Sequence, residues 1–145
     1  MSAPIYLHLR PGDTPPSLGE RSPFKTVVVI ESEVTPEWRA QVSDWLVENG
    51  CLYMMAWGQD CSKWDDSVDW AVLEKFDYGD IPDEAFVMTT WHDGVPLDEV
   101  FWFCQHCAFN EAVEFDRTYI LHIADEPREA EMLSRFQAAS NMLAE

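Results

Sequence analysis

Apolar residues along the chain alternate between two spacings: short, nearly continuous runs and longer stretches with a helical repeat. Thr26 to Ile30 is a β-branched run bounded by Glu31 to Glu33, which predicts a strand buried on both faces. Thr35-Pro36-Glu37 then supplies an N-cap, a proline at the first helical position and an acid in the first turn. Trp38, Val42, Trp45 and Leu46 follow at helical spacing, and Asn49-Gly50 closes that helix. Cys51 to Trp57 predicts a second strand, ended by Gly58. A helix from about Ser62 carries Trp64, Val68, Ala71, Val72 and Phe76, with Tyr78-Gly79 and Ile81-Pro82-Asp83 as the turns after it. Phe86 to Trp91 predicts the third strand, and Pro96 opens a third helix that is apolar nearly all round. Thr118 to Ala124 predicts the fourth strand, and Asp125 caps a last helix with Met132, Leu133, Phe136 and Leu143 on its buried stripe.

Buried strands joined through helices pair in parallel with right-handed crossovers. The predicted fold is therefore α/β, a three-layer sandwich with helices on both faces of a mostly parallel four-stranded sheet in the flavodoxin-like order 2-1-3-4. Residues 1–25 differ, with Pro4, Pro11, Pro15, Pro16 and Pro23 marking an arm. Within it Ile5, Leu7 and Leu9 alternate with Tyr6 and His8, the pattern of a short N-terminal edge strand. Residues 26–145 then form a single α/β domain.

Composition supports one domain: 145 residues with 47% hydrophobic content can bury a core without cross-links. No window approaches a membrane-spanning run of about 20 apolar residues. Met1-Ser2-Ala3-Pro4 has neither a basic nor an apolar leader, so a cytoplasmic protein that does not engage membranes is expected. Cys51, Cys61, Cys104 and Cys107 are read as free thiols of a reducing compartment. Cys104 and Cys107 form a C-x-x-C around His106, but the second ligand pair that structural zinc requires is missing. They are read as small apolar residues on a buried helix face, with no metal and no cofactor.

Charge changes the picture most. The formal net charge is −18, and from Asp60 to Glu99 twelve Asp or Glu stand against Lys63 and Lys75 alone. Such a surface repels phosphate backbones, which excludes direct nucleic-acid binding, and attracts cationic proteins. No G-x-G-x-x-G or P-loop motif supports a nucleotide site.

Ligands of open parallel sheets bind beyond the carboxyl ends of the strands, where strand order reverses. With the order 2-1-3-4, that rule brings Glu31 and His92 together with Asp60 nearby, a candidate acid/base cluster in which a carboxylate raises the imidazole pKa. Cys61, at a helix start, is a weaker nucleophile candidate because Asp60, Asp65 and Asp66 oppose its ionisation.

The segments CLYMMAWGQDCSKWDDSVDWA (Cys51 to Ala71) and FVMTTWHDGVPLDEVFWF (Phe86 to Phe103) resemble a small bacterial family of domains of unknown function, over roughly residues 26–123. The resemblance implies a bacterial, cytosolic, single-domain protein and no reaction type.

Two functions follow from these readings. The first is an acidic, non-enzymatic protein-binding module of inhibitor, immunity or antitoxin type, engaging a basic protein partner through Asp60, Asp65, Asp66, Asp69, Trp57, Trp91 and Asp93. The alternative is a small-molecule-binding protein or enzyme using Glu31, Asp60 and His92 at the strand ends, with Asp93 beside them. The acidic stretch, the most unusual feature of the chain, favours the first.

Overall fold

The computed structural model describes residues 3–19 and 22–142; Leu143 of the expected last helix and residues 1–2 and 20–21 of the expected arm lie outside them. The strands are β1 (Ile5–Leu9), β2 (Phe24–Ile30), β3 (Cys51–Gly58), β4 (Met88–His92) and β5 (Arg117–Ile123). The helices are α1 (Pro36–Glu48), α2 (Cys61–Lys75), α3 (Leu97–His106) and α4 (Glu129–Ala139), with a short 3-10 turn at Asp83–Ala85. The five strands form one sheet, parallel throughout, in the order β1-β5-β2-β3-β4.

Helix α1 forms as its sequence dictates: Thr35 Oγ1 accepts the Trp38 N–H at 3.2 Å, and Pro36 occupies the first turn. Helices cover both faces of the sheet. Val28, Ile30, Met54, Ala56 and Leu121 pack with α1 and α2, whereas Val27, Val29, Met55 and Ile120 pack with α3 and α4. Each buried Val, Leu or Ile contributes about 1.5–3 kcal/mol. The central strand β2 is apolar on both faces for this reason.

The four strands expected from the hydrophobic runs lie in the order β5-β2-β3-β4, which corrects the 2-1-3-4 expectation. A 2-1-3-4 order needs the first two crossover helices on opposite faces. Here α1 and α2 pack against each other instead: the Ser43 and Ser67 hydroxyls share a hydrogen bond of 2.7 Å, and Trp38 meets Trp64 edge-on at 6.4 Å between ring centroids. Two right-handed crossovers on one face carry the chain steadily outward from β2 to β3 to β4. Helix α3 then returns across the other face and delivers β5 to the far side of β2. The N-terminal segment adds β1 beyond β5.

Two boundaries also shift. β4 begins at Met88 rather than Phe86, because Phe86 caps the 3-10 turn at Asp83–Ala85, its N–H donating to the Asp83 carbonyl. The N-cap of α4 is Arg128, not Asp125, since the Arg128 N–H donates to the Tyr6 hydroxyl at 2.9 Å and fixes the helix start there. At the end of β3, Gly58 has φ +107°, and its Cα lies so close to the Ile30 carbonyl oxygen that a Cβ would collide with it.

Candidate functional site

The strand order reverses between β2 and β5, so the rim expected to hold a ligand lies there and not between β2 and β4. Glu31, directly after β2, meets His122 of β5 rather than His92. His122 Nε2 lies 2.5 Å from Glu31 Oε1, and the Arg128 guanidinium reaches the same oxygen. On the other side of the ring, the Tyr6 hydroxyl of β1 is 2.6 Å from His122 Nδ1. The partners fix the protons: Nε2–H donates to the Glu31 carboxylate, Tyr6 O–H donates to Nδ1, and the Tyr6 oxygen accepts the Arg128 N–H. His8, opposite His122 in the register, donates Nε2–H to the Ala124 carbonyl at 2.7 Å.

Burial works to raise the Glu31 pKa, but the hydrogen bonds from Arg128 and His122 outweigh it and hold the carboxyl below its ordinary range. Tyr6 is shifted upward by burial, in keeping with its role as an O–H donor. His122 is fully buried with both ring nitrogens engaged, so no imidazole lone pair faces outward. The cluster joins β1, β2, β5 and the start of α4 as a polar clamp. Neither His122 nor Tyr6 and Arg128 entered the expected site. The available signal was a histidine inside the apolar run Tyr119 to Ile123, because a buried imidazole requires partners.

His92 lies on the edge strand β4, separated from β2 by β3. Its ring packs edge-on against Phe103 at 5.0 Å between centroids, and Nε2 is 2.9 Å from the Thr90 hydroxyl. Burial lowers its pKa, with Glu99 opposing, so the expected rise beside Glu31 is corrected to a fall. Asp60 caps α2 in the left-handed region at φ 55°, with Lys63 at 3.9 Å. Glu31, Asp60 and His92 therefore occupy three separate strand ends and are not assembled into one cluster. Cys61 is buried, and burial followed by the nearby Asp93 raises its pKa, the opposite of nucleophile activation. Cys104 is likewise buried and pushed up to about 12, while Cys107 is exposed, which corrects the reading of both as buried. Among the described residues no group of three or more His, Cys, Asp or Glu side chains could hold a metal ion.

The other candidate surface is built by α2 and β4. Thr89 Oγ1 donates to Asp69 Oδ1 at 2.8 Å and ties the strand to the helix. Trp91, two residues on and so on the same face of β4, stands 53% exposed on the α2 side of the sheet. Asp65 and Asp66 crowd Asp69, whose pKa rises through burial first and this like-charge contact after it, against the lowering effect of Thr89. Asp66 and Asp93 are exposed, but Asp65 is buried, its Oδ1 without a hydrogen-bond partner among the described residues, and presents little of its side chain to the surface. Trp57 projects to the opposite face of the sheet, where its Nε1–H donates to the Val95 carbonyl at 2.6 Å; it does not share a surface with Trp91.

The sequence reading missed several exposed residues here. Trp70, on α2, is 56% exposed and meets Tyr78 edge-on at 5.8 Å. Phe86 and Met88 are exposed as well. Among the described residues, the ion pairs reach only Asp60 and Asp98 of the twelve acids between Asp60 and Glu99.

No helix among the described residues is long and apolar enough to cross a membrane. In comparison with curated proteins and with solved structures, none matches the chain. A family model described as a domain of unknown function, DUF7684, matches residues 4–139, further in both directions than the resemblance at 26–123. The match takes in β1 and α4 as well as the strands and helices between them, and the chain belongs to the DUF7684 family.

Proposed function

We propose that this protein is an acidic, non-enzymatic binding module of inhibitor, immunity or antitoxin type, which engages a basic protein through the surface formed by α2, β4 and the segment between them. The observation that carries this reading is the placement of exposed apolar side chains. Of eight large hydrophobic residues exposed among the described residues, five (Trp70, Tyr78, Phe86, Met88 and Trp91) fall within one segment that also carries Glu74, Asp77, Asp80, Asp83 and Glu84. Aromatic faces beside carboxylates suit Lys and Arg side chains, which gain cation–π and ion-pair contacts together. A negative field of this density also speeds the encounter with a cationic partner and repels nucleic-acid phosphates. Four free thiols suit a reducing cytoplasm. At the point where strand order reverses, the alternative of a small-molecule site meets the Tyr6–His122–Glu31–Arg128 clamp, whose ring nitrogens are already engaged.

The test is capture from host lysate at low and high salt with the wild-type chain, Trp91→Ala, and Asp66→Asn combined with Asp69→Asn. A cationic protein retained by the wild type at low salt, and lost with high salt and with either variant, supports the reading. Retention that is indifferent to salt and to these substitutions overturns it.

A further inference from the structure

The β4 edge of the sheet is open. All five residues of β4 are at least partly exposed, whereas the first six residues of its neighbour β3 are all buried. β4 pairs with β3 alone, and among the described residues Met88–His92 make no backbone–backbone hydrogen bond outside that ladder. Edge strands are normally blunted by Lys, Pro or a bulge, because their unpaired N–H and C=O groups invite another chain. β4 reads Met88-Thr89-Thr90-Trp91-His92: no Lys, no Pro, and two exposed apolar side chains. The opposite edge strand, β1, has Pro4 directly before it and Pro11 just beyond its end, which stop a ladder from running on.

We infer that an extended segment of the basic partner adds to β4 as a sixth strand of the sheet, with Lys or Arg at alternate positions. This rests on the binding reading above and names its mode. Side chains of an added strand alternate between faces. On the α2 face they meet Trp91 and Asp69, which favour a cation; on the other face they meet Met88 and Thr90, which favour an apolar or β-branched residue. A second copy of this chain is disfavoured as the occupant, because pairing two β4 edges brings Asp69 and Asp93 of both molecules together with little opposing charge.

The probe is a capped peptide of alternating lysine and valine, about eight residues long, compared with the same peptide N-methylated along its backbone. N-methylation keeps side chains and charge but removes the donors a ladder requires. The expected result is that the unmethylated peptide binds about tenfold tighter or more, slows hydrogen exchange at the β4 amides, and binds Trp91→Ala more weakly. Equal, salt-sensitive binding of both peptides without protection of β4 overturns strand addition and leaves the acidic-surface reading standing. Failure of both peptides to bind at up to about 1 mM in low salt overturns both readings. A dimer of the protein alone with protected β4 amides overturns the choice of occupant.

Discussion

Both nitrogens of the His122 ring are held by residues far away in the chain, Tyr6 from one end and Glu31 from near the middle of the first half. Removing the Tyr6 hydroxyl leaves a buried Nδ1 without its donor and the Arg128 N–H without its acceptor. Tyr6→Phe is therefore expected to destabilise the fold by about 1–3 kcal/mol, measured as a lower urea midpoint. Glu31 gives a pH signature. Its folded-state pKa is lowered, so the stability it contributes is fully present above the ordinary glutamate value of 4.5 and is lost as pH falls through the depressed value. Glu31→Gln should lower the melting temperature at neutral pH and flatten its decline below that value. Glu31 was legible as a residue at a strand end, but its partner was not. His122 and His92 are both histidines near the carboxyl end of a strand, and only strand order chooses between them.

Helix α2 carries opposing demands. Its inner side, with Trp64, Val68 and Val72, is plain from helical spacing; its outer side holds Asp66 and Asp69, which with the buried Asp65 lie close enough to disfavour one another. The Asp69 pKa is raised on folding, so its charged form costs stability as pH rises above the ordinary value of 3.8, and that cost disappears in acid. Asp69→Asn keeps an oxygen for the Thr89 hydroxyl. It should raise the melting temperature at neutral pH, with the gain vanishing below the ordinary value, while weakening capture of a basic partner. A substitution that stabilises the fold and impairs binding is the behaviour of a residue retained for recognition. Neither the burial of Asp65 nor the exposure of Trp70 could be read from period alone, because a helix carrying polar and apolar residues on several sides has its buried arc set by what it packs against.

For the whole molecule, a net charge of −18 opposes compaction, and few of the acids around α2 and β4 have an ion-pair partner among the described residues. Raising sodium chloride from about 10 mM to about 150 mM shortens the Debye length from roughly 30 Å to roughly 8 Å. The melting temperature should rise across that range, followed by differential scanning fluorimetry, even as affinity for a cationic partner falls. The alternation of strand and helix followed from local rules: β-branched runs, the Thr35-Pro36 cap and helical spacing are decided within a few residues of chain. So did the parallel pairing, since strands joined through helices admit little else. Strand order did not follow, because a crossover of the same length and sequence pattern can lie on either face. The contact of Ser43 and Trp38 with Ser67 and Trp64 places α1 and α2 on one face, and with them β5 beside β2, Glu31 beside His122, and β4 on the open edge. Local sequence thus specified the elements and the charge they carry. Long-range packing specified which end residues meet and which edge is left for a partner.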